Sequence, residues 1–339
     1  MTSRSKFSNS AVLREKFLEL GYAYWQPRVL HAAFGLGVFQ ALGRRVFTVN
    51  ALAHRVKANT RGLELLLNAL AAMGLLKKKG SKFSNSAAVL SLCLPGKETH
   101  IGDFVKLQNL SWQGWSHLEE VVRTGKPFRR PPFLGNEKQE VRDFTLAMHN
   151  TALGHARNLA QRISLRGRKH LLDVGGGSGA FSVYFLKANP RLKATVFDLP
   201  GTIPFTKQIT AQYGLKNRLA FQKGDFMRDK IKGRYDVAFI SHIIHGLGEK
   251  ENRILMRKIY NALEPGGEIL IQDFFLNEDL TGPLFPALFS LNMLLHTPEG
   301  RSYSFAEAEA WLRAAGFSKI SRRPYVFPRS IRVLRGMKA

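Results

Sequence analysis

From Lys169 onward the hydrophobic pattern of this chain changes period, and that change restricts the fold more than any other feature. Short β-rich runs alternate with helical segments: His170 to Val174, Ala194 to Asp198, Leu219 to Lys223, Tyr235 to Ser241 and Glu268 to Asp273. Parallel neighbours need a crossover long enough to hold a helix, so regular alternation of this kind predicts a doubly wound parallel sheet. The expected architecture is α/β and Rossmann-like over residues 106–339, behind a mainly α-helical domain over residues 1–105.

From Ala11 to about Leu94 the apolar positions recur at helical spacing. Arg28 to Leu42, Thr48 to Val56 and Thr60 to Met73 read as three helices, each entered through a polar residue. After Gly74, the run Leu75 to Phe83 reads as a two-stranded hairpin, which completes a winged-helix pattern. That scaffold reads DNA in some proteins and pairs subunits in others. A groove-reading third helix needs polar and basic residues, whereas RGLELLLNALAAMGL is mostly apolar after Arg61. Packing or dimerisation is the favoured reading. From Ile101 to Ile163 the chain stays largely helical; Trp112, Trp115, Phe144 and Met148 there are core residues or the lining of an apolar ligand pocket. Two copies of KFSNS, Lys6 to Ser10 and Lys82 to Ser86, have no period between them and are read as chance.

The lone cysteine, Cys93, excludes an intramolecular disulfide and a thiolate-rich zinc site, and suits a reducing cytoplasm. No apolar stretch follows the basic N-terminus, and the most apolar later run, Gly282 to Leu295, is broken by Pro286 and carries Asn292. Neither secretion nor a membrane span is expected. A formal charge of +26 raises the prospect of an anionic partner, nucleic acid included. The basic residues are scattered, with local clusters at Lys77–Lys79, Arg129–Arg130 and Arg322–Arg323, which favours a solvated basic surface.

The first strand, Leu171-Leu172, runs into Asp173-Val174-Gly175-Gly176-Gly177-Ser178-Gly179 and then a helix from Ala180 to Ala188. Glycine there lets a ligand approach the backbone at the top of the strand. Asp198 closes the second strand in Val196-Phe197-Asp198-Leu199-Pro200, where a carboxylate accepts the hydroxyls of a ribose. Gly224-Asp225-Phe226 ends the third, where an acid can accept from an adenine amino group under the cover of an aromatic ring. With neither a P-loop lysine nor the full G-x-G-x-x-G spacing, an adenosine without phosphates fits better than a nucleotide.

These segments, together with Leu263-Glu264-Pro265-Gly266-Gly267, resemble the plant caffeic-acid-type and bacterial small-molecule O-methyltransferases. The winged-helix pattern is similar to that family's dimerisation domain, so the resemblance implies a homodimer. It implies S-adenosylmethionine as the methyl donor. The cofactor set carried onto this chain is Asp173, Gly175, Gly177, Asp198, Leu199, Gly224, Asp225, Phe226 and Ser241, the last standing where plant enzymes often have lysine. His245, in Ser241-His242-Ile243-Ile244-His245-Gly246-Leu247, matches the family's general base. The acceptor-facing set is Trp112, Trp115, Met148, Asp273, Asn292 and Glu299.

The chain departs from the family where the base is usually followed by Asp-Trp, since Gly246-Leu247 stands there, and Ser290 occupies a place where an acid is common. Glu299 and Asp273 are the remaining candidates to orient the imidazole. His149, His155, His242 and His296 raise a metal site, but no acidic ligand pattern accompanies them and none is expected. The expected activity is O-methylation of an aromatic or polycyclic small molecule. Two alternatives stand beside it: C-methylation of a pigment-like ring, and a nucleic-acid-associated winged-helix protein that binds S-adenosylmethionine.

Overall fold

The computed structural model describes residues 9–129, 137–324 and 327–339. Most of the first KFSNS copy and Arg130 of the Arg129–Arg130 pair lie outside them. The chain forms two compact units, Met1–Asn109 and Leu110–Ala339.

The first unit opens with α1 (Asn9–Tyr22) and α2 (Trp25–Gly35). Gly37 then turns left-handed at φ 68, so the helix expected over Arg28 to Leu42 is two, the second being α3 (Val38–Leu42). β1 (Val46–Thr48) leads into α4 (Val49–Val56), where the Thr48 hydroxyl accepts from Ala51 N–H. α5 (Thr60–Ala72) starts on Asn59, whose side chain accepts from Gly62 N–H. The wing is β2 (Lys77–Lys79) and β3 (Lys82–Ser84), and β1 pairs with β3 as a third, antiparallel strand. α6 (Ala87–Cys93) closes the unit, and α7 (Gly102–Ser116) carries the chain into the second. Leu63, Leu67 and Leu70 lie on one face of α5 and pack with Phe34, Phe39, Leu42, Leu52 and Phe83. That burial is where the apolar third helix goes, each fully buried side chain contributing about 1.5–3 kcal/mol. α1 buries none of its residues: Val12, Leu13, Phe17 and Leu20 are all more than half exposed.

In the second unit α8 (Leu118–Thr124) and the long α9 (Lys138–Arg162) precede β4 (His170–Val174). The chain then runs α10 (Ala180–Ala188), β5 (Lys193–Asp198), α11 (Ile203–Thr210), β6 (Leu219–Lys223), β7 (Tyr235–Ser241), α12 (Glu249–Ala262) and β8 (Leu263–Phe274). It ends with α13 (Leu284–His296), α14 (Phe305–Ala315), β9 (Phe317–Arg322) and β10 (Ile331–Lys338). The sheet order is β6-β5-β4-β7-β8-β10-β9. Strands β4 to β8 pair in parallel, while β10 pairs antiparallel with both β8 and β9. Alternation along the strands serves two layers. Leu171, Val237 and Phe239 meet α9 and α10, whereas Leu172, Ala238 and Ile240 meet α12 and α14. With both faces covered, the strands read as near-continuous apolar runs. No described helix is long and apolar enough to cross a membrane.

Candidate active site

Strand order reverses between β4 and β7, and the crevice beyond the carboxyl ends of such a pair is where open α/β sheets hold ligands. β4 delivers the glycine turn to this crevice. Gly175 holds φ 65, and a Cβ there would lie 2.4 Å from Ile243 Cδ1 and 3.8 Å from Phe226 Cε1. Only glycine keeps that stretch of backbone accessible. Gly177, at φ 53, donates its N–H to Asp198 Oδ2 at 2.7 Å, and Leu199 N–H donates to Oδ1, also at 2.7 Å. The carboxylate keeps accepting capacity beyond these bonds. Burial pushes the Asp198 pKa up, against the pull of hydrogen bonds from Gly177, Leu199 and Thr202. Asp173 is fully buried beneath the turn. Its Oδ2 accepts from the Ser182 hydroxyl at 2.6 Å, and a Cβ on Gly176 would fall 2.8 Å from its carboxyl carbon. Burial pushes its pKa up to about 7, opposed by the Ser182 hydrogen bond and helped by the charge of Asp198. Asp173 therefore braces the turn from below.

Gly224 follows β6, its N–H bonded to Asp198 O at 2.9 Å, and a Cβ there would strike Phe197 at 2.8 Å. Asp225 Oδ1 accepts from Met227 N–H, and Lys258 of α12 donates to the carbonyls of Phe226, Met227 and Asp229 at 2.8, 2.6 and 3.1 Å. One ammonium thus fixes the loop that sets Phe226 beside Gly175. From the other side His149 of α9 shares a 3.1 Å hydrogen bond with the Ser178 hydroxyl. Neither Lys258 nor His149 has a local sequence signal as a brace, since each reaches its partner across about 30 residues.

Beyond β7 lies a short 3₁₀ turn, Ile244–Gly246, with Ile244 buried and His245 aimed into the crevice side of β8. Asn252, fully buried on α12, donates to the carbonyls of Ile244 and Leu247, and the Tyr303 hydroxyl donates to Leu247 O at 2.6 Å. Ser241 accepts from Gln272 Nε2 at 2.9 Å. Asp273, at the end of β8, accepts at Oδ1 from His245 Nδ1–H at 2.7 Å and from Phe274 N–H at 2.8 Å. An ionised carboxylate can only accept, so the imidazole proton sits on Nδ1 and Nε2 is left as the basic nitrogen. Burial would raise the Asp273 pKa, yet His245, His242 and the Phe274 N–H more than offset it and hold the carboxyl below its usual value.

His242 stands 3.9 Å from the same carboxylate oxygen, at φ 56. Burial drives its pKa from 6.5 down to about 4, with Asp273 pulling upward and His245, His155 and Arg329 pushing further down. A histidine whose folded pKa is depressed contributes stability that is complete above the unfolded value and is lost as pH falls toward the folded one. At about 1.4 kcal/mol per pH unit this amounts to about 3 kcal/mol between pH 6.5 and pH 4. His242→Asn tolerates the left-handed backbone and removes the titration. Its unfolding free energy, followed in urea, should fall by about 3 kcal/mol less than the wild type's on acidification across that window. Equal acid sensitivity in the two proteins would show that His242 does not titrate there.

The other sequence-selected residues are spread more widely. Trp112 and Trp115 lie half-buried on α7 around Gly114, which sits against Phe128, Leu295 and His296. Met148 is half-buried on α9 next to His149, and Asn292 half-buried on α13. Ser290 spends its hydroxyl on Pro286 O and Ser302 N–H. Glu299 is exposed, with its carboxylate against Gly248 at the start of α12, so the orienting acid of His245 is Asp273 and not Glu299. Asp273, read from the sequence both as acceptor-facing and as a candidate partner of the imidazole, is only 2% exposed and bonds to that ring. Among the described residues His242, His245 and Asp273 each have a ligand-type atom within 4.8 Å of the others, a spacing that one carboxylate serving two imidazoles also produces.

Around His245 stand aromatic rings. Phe289 meets it edge-on at 4.8 Å, Phe274 packs at 4.6 Å from His242 and 4.7 Å from Phe289, and Phe285 lies 4.9 Å from Phe274. Such a wall favours a flat apolar ligand beside a polar base.

The O-methyltransferase domain family matches residues 115–318, and the O-methyltransferase dimerisation domain matches residues 18–91. The chain is 31% identical over 326 residues to a 3-hydroxy-5-methyl-1-naphthoate 3-O-methyltransferase of Streptomyces sahachiroi, covering 95% of this chain and 94% of the relative. It is 31% identical over 311 residues to the tetracenomycin polyketide synthesis 8-O-methyl transferase of Streptomyces glaucescens, covering 89% and 91%. Human N-acetylserotonin methyltransferase in complex with S-adenosylmethionine superposes with a TM-score of 0.85 at 26% identity, over 99% of this chain and 100% of that one. The matches favour oxygen methylation over carbon methylation or a nucleic-acid role. A glycine turn and ribose-type carboxylate at the switch point, an oriented imidazole beside them and two family matches in chain order lead to one conclusion: the chain belongs to the O-methyltransferase family and uses S-adenosylmethionine as its methyl donor.

Proposed function

We propose that this enzyme methylates a hydroxyl on an aromatic or polycyclic small molecule, with His245 as general base. The observation that carries the proposal is the His245–Asp273 pair, 2.7 Å long, set against the rings of Phe274 and Phe289. The names of the two Streptomyces relatives, a naphthoate and a polyketide methyltransferase, support an aromatic acceptor.

The residues at the switch point fit the cofactor. Asp198 offers two oxygens already aligned by backbone N–H groups, which suits the two hydroxyls of a ribose. The open backbone at Gly175, the kind a Cβ would close, suits an adenosine and methionine portion laid over it. Phe226 and Asp225 would meet the adenine, and Gly177, Leu199, Gly224 and Ser241 would shape the rest of the cradle. S-adenosylmethionine supplies, when bound, a methyl group on a cationic sulfur. The chain's own work is to align the acceptor for in-line attack, to exclude water and to take up the hydroxyl proton. Alignment contributes most. His245 Nε2 takes the proton as the oxygen–carbon bond forms, and Asp273 stabilises the imidazolium that results. Trp112, Trp115, Met148 and Asn292 are proposed to enclose the acceptor.

We assign the functional boundary to 105/106 and the active form to a homodimer. The support for pairing is the dimerisation-domain match and α1, whose apolar side chains have no cover within the described residues. A single buried cysteine, its thiol pushed up to about 11 by burial, suits a reducing cytoplasm.

The test is transfer of labelled methyl from S-adenosylmethionine into an extract of the source cells, separated into organic-soluble, nucleic-acid and protein fractions. Label in the organic fraction is expected. Label in nucleic acid would overturn the acceptor class and make the basic surface the leading clue.

A further inference from the structure

Between Arg44 and Lys82 the first unit carries nine basic residues and a single acid, Glu64. All nine are exposed, and among the described residues no carboxylate pairs with any of them. The second unit treats its arginines differently: Arg168 and Arg335 share Glu268, Arg313 and Arg322 share Glu309, and Arg253 pairs with Glu249. Strand register shows where the unpaired cations point. Phe47, Phe83 and Lys78 stand opposite one another across β1, β3 and β2. Phe83 is buried in the core and Lys78 Nζ donates to Asn68 Oδ1 of α5 at 2.8 Å, so this row faces α5. Alternation turns the flanking rows outward: Thr48, Lys82 and Lys79 in one, Val46, Ser84 and Lys77 in the other. At the β1 edge Arg45 and Arg55 bring their guanidiniums to 5.2 and 5.9 Å from the Phe47 ring centre. Lysines on an edge strand such as β2 discourage pairing with a foreign strand. Lys82 has no such duty, because β3 is the central strand, and it stands directly opposite Lys79, where like charges are destabilising.

We propose that this outward face of the wing docks on an anionic lipid surface. Other polyanions and acidic partners ask for chemistry the face lacks. Protein interfaces are built on aromatic and arginine anchors and are depleted of lysine. Base readout in a duplex needs polar side chains on a groove-sized element, whereas α5 exposes Arg61 beside Glu64 and Leu65. Single strands need open rings for stacking, whereas Phe83 is buried and Phe47 is half-buried beside two guanidiniums. A bilayer asks only for a dense patch of cations, about four to eight, and binds it without directional bonds. Val46, 59% exposed in the same row as Lys77, adds an apolar contact at the level of the headgroups. The docking face goes beyond the reaction proposed above and does not depend on it, although an apolar ring acceptor dissolves in the layer such a face would touch.

Cosedimentation of the full-length enzyme with phosphatidylcholine vesicles, plain or carrying about 30 mol% phosphatidylglycerol, tests this. The wild type should pellet with the charged vesicles alone and be released as salt rises from about 0.1 M to about 0.5 M. The triple variant Lys77→Gln, Lys79→Gln, Lys82→Gln should lose about 10²-fold in affinity for the charged vesicles, roughly 5-fold for each lysine. Its melting temperature should not fall, since these three side chains have no partner to lose among the described residues. A second triple variant of the same net charge, Lys193→Gln, Lys216→Gln, Lys230→Gln, removes three exposed lysines of the other unit and should stay within about 3-fold of wild type. Failure of the wild type to pellet at low salt, equal pelleting with plain vesicles, or equal loss in the two triple variants would overturn the docking face. Tighter binding of the wild type to a DNA duplex than to the charged vesicles, lost in the wing variant, would overturn the lipid and give the face to nucleic acid.

Discussion

His245→Ala should transfer methyl groups about 10²–10⁴-fold more slowly than the wild type while binding S-adenosylhomocysteine with unchanged affinity. The size follows from what the imidazole can do. Its Nδ1 is committed to Asp273, which is ionised and buried, so Nε2 is presented in the basic tautomer without any search among rotamers. Alignment of donor and acceptor survives the substitution, which is why residual transfer is expected and not its complete loss. The glycine turn and Asp198 of the cofactor cradle hang on β4 and β5 and, among the described residues, make no hydrogen bond to His245, so affinity for the demethylated cofactor should not move. Asp273→Asn gives the companion result: the amide can donate back to the ring and favour the wrong tautomer, lowering the rate with little change in acceptor KM. Single-turnover rates separate this from slow product release. Transfer within about 3-fold of wild type in His245→Ala would remove the histidine from proton transfer.

The glycine turn, Asp198 and Gly224-Asp225-Phe226 were legible in the sequence because the chemistry there is local: each sits at the end of an apolar run whose direction is fixed by strand period. The orienting acid was legible only as a choice. His245 and Asp273 are 28 residues apart, and what joins them is the parallel register of β7 on β8, which no local pattern records. Lys258 and Tyr303 brace the site's loops through contacts of the same long-range kind, so they carried no signal at all. The helix expected from Arg28 to Leu42 failed at Gly37, where apolar periodicity continues through a left-handed residue that ends the hydrogen-bond ladder. At the C-terminus β9 and β10 escaped notice because basic residues interrupt their alternation. β10 nonetheless lies inside the sheet, with Arg332 and Arg335 among its apolar positions, and Arg335 is stabilised by Glu268 at 2.6 Å.

Asp198→Ala should weaken S-adenosylhomocysteine binding by about 10²–10³-fold, the largest effect of any single change in the cofactor half. Two losses combine. A carboxylate that accepts both hydroxyls of a ribose makes charge-assisted hydrogen bonds of about 1.5–3 kcal/mol each, part of which water returns when they are lost. The same oxygens also accept from Gly177 and Leu199, so alanine leaves two backbone N–H groups of the turn without their partner and frees Gly177 to leave φ 53. The second loss acts on the free protein, at about 1–3 kcal/mol of stability, and thermal melts without cofactor measure it separately. Asp198→Asn distinguishes the two. Its Oδ1 still accepts from Leu199, but its amide nitrogen faces Gly177 N–H donor to donor, so the free protein should be destabilised nearly as much as in alanine. The ribose loses one acceptor instead of two, and the affinity should fall between wild type and alanine. If calorimetry finds Asp198→Ala within about 3-fold of wild type while its melting temperature drops, Asp198 serves the turn alone, and the ribose must be held by backbone that the buried carboxylate merely shapes.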